Sequence, residues 1–79
     1  MKIQVYGMGC AGCKKLYANT REAVKEMGID ANVEYSDDMQ KIVELGLMSS
    51  PVLVIDGTPV IAGRIPDKNE IKEAILKSR

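Results

Sequence analysis

The sequence has no histidine, no tryptophan and only two cysteines. Its charges cancel, 11 Lys and Arg standing against 11 Asp and Glu. With no basic surplus or stripe there is no electrostatic footprint for a nucleic acid, whose phosphates dominate such binding. Long apolar runs are missing too. The longest, Pro51-Val52-Leu53-Val54-Ile55, is far short of the ~20 residues that span a bilayer. The N-terminus carries none of the charged, apolar and small-residue segments of a signal peptide. The expectation is a soluble, cytoplasmic monomer with no membrane and no nucleic acid among its partners.

What is present concentrates in one stretch, Tyr6-Gly7-Met8-Gly9-Cys10-Ala11-Gly12-Cys13. It holds both cysteines at C-x-x-C spacing, between a strand-like run and a helix-like one. At 79 residues the chain reads as one domain, residues 1–79, with a core that is marginal by itself. The cysteine pair is not the staple that holds such a domain together. A cross-link stabilises more as the enclosed loop lengthens, and this ring encloses almost nothing. The two thiols therefore read as chemical: they can close into a disulfide or share a soft metal ion.

Along the chain, Ile3 and Val5 alternate with Lys2, Gln4 and Tyr6, the period of a short strand. Gly7 and Gly9 free the backbone for a tight loop. From Cys13 the period becomes helical, with Cys13, Leu16, Tyr17, Thr20, Val24 and Met27 on one stripe and Gly28 as the stop. Cys13 thus shares the buried stripe, whereas Cys10 lies at or before the helix start and is the more exposed. Ala31 to Tyr35 is a second strand. Asp37 and Gln40 resemble a capping box opening a helix over Met39, Ile42, Val43 and Leu45, which Gly46 ends.

Val52 to Ile55 is apolar on both faces, as in a central strand covered from both sides. Asp56-Gly57 signals a hairpin, Thr58 lengthens the turn, and Val60 to Ala62 is the partner strand, with Pro59 tolerable at an edge. Asp67 and Glu70 open a last helix with Ile71, Ala74 and Ile75 inward. The order βαβαββα, with a right-handed parallel crossover and then an antiparallel hairpin, gives a four-stranded mixed sheet of order 2-1-3-4 flanked by three helices, an α/β fold.

That order, with C-x-x-C after the first strand and Ser50-Pro51 before an apolar strand, resembles the thioredoxin-like superfamily. More narrowly, the chain resembles the small redox-active disulfide proteins of archaea and bacteria. The features that carry this are Gly9 to Cys13, Arg21 to Ile29, Ser50 to Gly57 and Gly63-Arg64, so the likeness runs end to end. It implies that Cys10 is the nucleophile and Cys13 the resolving thiol of a protein disulfide oxidoreductase. It also implies a cis Ser50-Pro51 bond that turns the Ser50 backbone toward an incoming chain. No cofactor is implied beyond the Cys10–Cys13 redox-active disulfide. The partners implied are disulfide-bearing proteins and a reductase or low-molecular-weight thiol.

The chain departs from thioredoxins in having neither tryptophan nor proline beside the cysteines, and no acidic residue in the first strand to accept a proton. Glutathione-reading residues match only loosely at Ala62 to Asp67.

At a helix N-terminus, unpaired N–H groups and the positive end of the macrodipole favour a thiolate. They draw Cys10 below the ordinary thiol range, with Lys14 and Lys15 adding positive charge. Met8, Ala11, Met48, Ser49 and Gly63 form an apolar rim, and Met8, Ala11, Gly12, Ser50, Pro51 and Gly63 are expected to meet the substrate. Tyr6 and Tyr17 read as core or half-buried, and Arg64 as solvated rather than as a contact for an anionic tail. The competing reading uses the same residues. Gly7 to Cys13 resembles the G-M-x-C-x-x-C loop of heavy-metal-associated domains, in which Cys10 and Cys13 would hold copper, zinc or mercury, or arsenic in a hybrid case. That family, however, has a βαββαβ order with no helix between its second and third strands.

Overall fold

The sheet begins where the apolar alternation begins. A computed structural model describes residues 1–46 and 51–78. Strand β1 (Lys2–Tyr6) is followed by α1 (Ala11–Met27), β2 (Asn32–Ser36), α2 (Met39–Glu44), β3 (Val52–Ile55), β4 (Thr58–Ala62) and α3 (Lys68–Lys77). The strands lie in the order β2-β1-β3-β4. β1 runs parallel to β2 and antiparallel to β3, and β3 runs antiparallel to β4. This is the expected topology. The helix α2 separates β2 from β3, so the order is not that of a heavy-metal-associated domain.

Ile3, Val5, Leu53, Ile55 and Ile61 face Leu16, Ala23 and Val24 of α1 and Ile71 and Ile75 of α3 in one core. Each such side chain withdrawn from water contributes about 1.5–3 kcal/mol. Tyr6, Val52 and Val54 pack with Ile42 of α2 on the opposite face. Both faces are therefore covered, and all four residues of β3 are buried. Tyr6 alternates away from Ile3 and Val5, but the face it joins is a second core. Burial pushes its phenol upward, with Asp38 and then Glu34 adding to the rise, so Tyr6 stays neutral.

Glycine 28, in the left-handed region with φ 64°, closes α1 and donates to the carbonyls of Val24 and Lys25. On the same helix Glu26 pairs with Lys68 and Lys72 of α3, the latter at 2.7 Å. These ammonium groups, Lys68 first, draw the Glu26 carboxyl down to about 2. At the start of α3, Asp67 accepts from the Glu70 N–H at 2.8 Å, as its capping pattern requires.

Three local expectations need correction. The cap of α2 is Asp38, which accepts from the Lys41 N–H at 3.4 Å, and not Asp37. The strand β2 runs on through Ser36, whose Oγ accepts from the Asp38 N–H at 3.2 Å, so the helix starts one residue later. Val43, placed on the apolar stripe of α2, is 69% exposed, because Ile42 with Met39 and Leu45 already covers that face. Thr58 does not lengthen the hairpin turn. Asp56 (φ 49°) and Gly57 (φ 82°) both take positive φ, the two-residue turn whose twist matches the strands, and Thr58 pairs directly with Ile55.

Asp56 also ties the hairpin to the first strand. Its N–H donates to the Lys2 carbonyl and its Oδ1 accepts from the Lys2 N–H, both at 2.8 Å. The edge strand β4 holds Pro59 opposite Val54, beside a break in register at Leu53/Val54. Among the described residues, no helix is long and apolar enough to cross a membrane.

Candidate active site

One end of the sheet gathers the residues singled out by the sequence. Tyr6, Val52 and Ala62 lie in register across β1, β3 and β4. The segments that leave or enter there are the Gly7 loop, Pro51 and Gly63. Pro51 is buried, and its carbonyl accepts from the Gly63 N–H at 3.0 Å. Ser50, with the cis peptide bond expected before Pro51, lies outside the described residues, as do Met48 and Ser49.

Within that end, Cys10 is the N-cap of α1. Its backbone is extended (φ −70°, ψ 161°), its carbonyl accepts the Lys14 N–H at 3.0 Å, and its Sγ accepts the Cys13 N–H at 3.0 Å. Sulfur thus occupies the place that a serine or aspartate oxygen takes in an ordinary cap. No acidic side chain stands in the first turn, and Lys14 and Lys15 are exposed beside it. Every fixed charge of this helix end therefore favours an anion on Cys10. The two cysteines are joined as a disulfide with Cα atoms 5.0 Å apart. Cys10 is exposed and Cys13 wholly buried, the asymmetry that the helical stripe predicts.

The glycines of the loop have separate reasons. Gly9 takes φ 79° and turns the chain into the cap. Gly7 is needed for closeness: a Cβ there would lie 2.6 Å from both Cβ and Sγ of Cys13 and 3.1 Å from the Tyr35 Oη. A Cβ on Gly12 would lie 2.5 Å from the Cδ1 of Ile65.

Met8 (69% exposed) and Ile65 (46% exposed) are large apolar side chains left in water on segments next to the thiols, with Ala11 and Gly63 also exposed. Of the residues expected in an apolar rim or at the substrate, Met8, Ala11, Gly12 and Gly63 lie on these segments, and Ile65, which sequence reasoning missed, lies against Gly12. An isoleucine in a loop after the last strand carries no signal of its own; only the fold lays it over Gly12.

Tyr35 was missed as well. The sequence marks it only as one residue of the second strand, yet its Oη accepts from the Gly9 N–H at 2.8 Å. With the Gly7 N–H donating to the Ser36 carbonyl at 3.0 Å, the end of β2 holds the loop at two points. The Tyr35 ring in turn stands edge-on to the half-buried Tyr17 at 5.5 Å, and the Arg21 guanidinium lies 5.6 Å from the Tyr17 ring centre. Arg64 is not simply solvated: it pairs with Glu70 of α3, which raises the guanidinium and lowers the carboxyl. Among the described residues, no group of three or more Cys, Asp or Glu side chains could hold a metal ion.

Comparison with known proteins agrees with this geometry. A family model described as thioredoxin domain matches residues 1–76. The chain is similar to a thioredoxin of Methanothermobacter thermautotrophicus, 52% identical over 75 residues, covering 95% of this chain and 97% of the relative. A thioredoxin of Methanocaldococcus jannaschii is 37% identical over 73 residues, covering 92% of this chain and 84% of its own. A probable thioredoxin of Methanothermobacter marburgensis is 34% identical over 79 residues, covering 95% and 92%.

Proposed function

The chain belongs to the thioredoxin family, and from that premise we infer that it is a protein disulfide oxidoreductase whose working groups are Cys10 and Cys13. The observation that carries this reading is the asymmetric disulfide at the head of α1. One cysteine is exposed, its sulfur accepting a backbone N–H, and the other is buried in the next turn.

In the reducing direction, the Cys10 thiolate attacks one sulfur of a target disulfide. A mixed disulfide forms, and the target's second sulfur leaves as a thiolate and takes up a proton. Cys13 then loses its proton and attacks Cys10 Sγ. The Cys10–Cys13 disulfide closes and the target's remaining sulfur is released. Two electrons have passed to the target.

The chain's own residues serve each step. The free N–H groups and the positive end of α1 hold the Cys10 thiolate. The buried stripe keeps Cys13 within reach of Cys10 and away from the target. Met8, Ala11, Gly12, Ser50, Pro51 and Gly63, with Ile65, form the surface on which a target chain settles. Adaptable Met8 suits targets of varied shape. The substrates are disulfide-bearing proteins, and a reductase or low-molecular-weight thiol restores the dithiol. The protein acts as a cytoplasmic monomer and needs no cofactor.

Reduction of insulin by the dithiol form, followed as turbidity over a dithiothreitol background, tests this reading. The wild type accelerates precipitation and C10S does not, while C13S accumulates a mixed disulfide visible on a non-reducing gel. Alkylation of Cys10 against pH gives a midpoint below the ~8.5 of a free thiol. A wild-type rate equal to background would sink the reading.

A further inference from the structure

The buried member of the pair must become a nucleophile in the resolving step, and the usual means of helping it is absent. The residues of β1 are Lys2, Ile3, Gln4, Val5 and Tyr6, with no carboxylate among them. The first turn of α1 has none either. Cys13 is wholly buried, and burial disfavours its thiolate.

One polar group stands beside it. The point at which Gly7 would carry a side chain is 2.6 Å from Cys13 Sγ and 3.1 Å from Tyr35 Oη. Sulfur and phenol oxygen therefore border the same bare backbone position, with no hydrogen bond between them while the disulfide is closed. The phenol oxygen already accepts the Gly9 N–H at 2.8 Å. A tyrosine hydroxyl is also a donor, and its hydrogen is not needed for that bond.

Of the other titratable groups on the surrounding elements, Tyr17 meets the Tyr35 ring edge-on with Arg21 over its own ring, and those that follow are engaged or turned elsewhere. Lys14 and Lys15 are exposed on α1, and Tyr6 lies in the opposite core. Glu34 is exposed, on the alternate face of β2 from Tyr35. β3 carries no ionisable side chain. On α3, Lys68 and Lys72 hold Glu26, and Glu70 holds Arg64.

We propose that Tyr35 is a further residue of the exchange site: when the disulfide opens, its O–H donates a hydrogen bond to the Cys13 sulfur and stabilises the thiolate that resolves the mixed disulfide. The phenol keeps its proton. The proton lost by Cys13 passes through solvent to the thiolate first released from the target, and the electron balance of the exchange is unchanged. The Gly9 bond gives Tyr35 a second duty, since the same oxygen holds the loop that delivers Cys10. A single side chain thus connects the two cysteines by the short way round, through Gly9 to one and across Gly7 to the other. The inference rests on the oxidoreductase reading and deepens it.

The test uses the reduced protein labelled with 13C at the cysteine Cβ, titrated by NMR in the wild type and in Y35F. Phenylalanine keeps the ring against Tyr17 and removes only the hydroxyl. A lost hydrogen bond to a charged group moves the Cys13 midpoint upward by about one pH unit. It also slows resolution of a preformed mixed disulfide about tenfold near neutral pH, with the two proteins converging at high pH.

Should Y35F fail to fold, the wild type alone decides. The Tyr35 13Cζ signal follows the Cys13 midpoint if the two groups share a hydrogen, and a flat signal there overturns the proposal. A Y35F protein that is less stable but keeps the wild-type Cys13 midpoint also overturns it, because Tyr35 would then only clip the loop. Insulin reduction by the wild type, measured alongside, separates that failure from failure of the oxidoreductase reading.

Discussion

Replacing Gly7 with alanine isolates the closest packing in the site. The new Cβ would sit 2.6 Å from Cys13 Cβ and Sγ and 3.1 Å from Tyr35 Oη, against the ~3.5–4.0 Å of ordinary carbon contacts. Gly7 does not take a left-handed φ, so the penalty is steric alone. Forcing one methyl into a closed core costs about 1–3 kcal/mol. A chain of 79 residues has roughly 4–12 kcal/mol in total, so the loss is a large share of it. At about 4–8 °C per kcal/mol for a domain of this size, the melting temperature of the oxidised protein falls visibly.

Part of the clash is specific to the oxidised state. Cys13 Sγ can swing away once the disulfide opens, whereas its Cβ cannot. The oxidised form therefore carries more of the strain, and the reduction potential rises. The bound is about 20–60 mV if the oxidised form carries all of it, at ~30 mV per 1.4 kcal/mol for two electrons.

Urea unfolding of oxidised G7A and equilibration in glutathione buffers measure the two effects. G9A is the control: its φ of 79° makes alanine strained, but nothing lies within 4 Å of the added carbon. It loses about 1–2 kcal/mol through the backbone and leaves the potential in place. Unfolding of G7A within about 0.5 kcal/mol of wild type, below the cost of overpacking, would refute the packing argument.

Two further substitutions probe the frame that holds the site. Glu26 is drawn to about 2 by Lys68 and Lys72, so its folded value lies below the ~4.3 of the unfolded chain. Its contribution is complete above that unfolded value and is lost as the pH falls through the folded one. E26Q therefore flattens the stability curve across that window, read by urea midpoints at a series of acid pH values, and an unchanged slope would show that the pair contributes nothing. D67A removes the acceptor for the Glu70 N–H and is expected to cost about 1 kcal/mol, seen as an earlier thermal transition, with no change in the reactivity of Cys10.

Most of the fold is legible because it is written in local periods. Ile3 and Val5 against Gln4, the stripe from Cys13 to Val24, and the all-apolar Val52 to Ile55 each select one kind of element, and Gly28 and Asp67 mark ends by local chemistry. The exposure difference between Cys10 and Cys13 follows from the same stripe. The errors are of two physical kinds. At Asp38 and Thr58 the competition was between neighbours: a Ser36 side-chain turn moved a cap by one residue, and two consecutive positive-φ residues shortened a turn. Tyr35, Ile65 and the close fit at Gly7 are different. They depend on the pairing of Val5 with Tyr35 and on the path after β4, and no local pattern encodes either.

The outer strands of the sheet carry a consequence for life at high concentration. β4 meets solvent with an imino acid at Pro59 and a break in spacing beside it, and β2 presents Glu34 and a side chain, Asn32, turned onto that glutamate at 3.2 Å. Neither border offers a clean ladder on which a second molecule could crystallise its own backbone. Collisions with other polypeptides are thus discouraged from zipping into fibrils along either border, leaving contact to side chains such as Met8 and Ile65 near the disulfide.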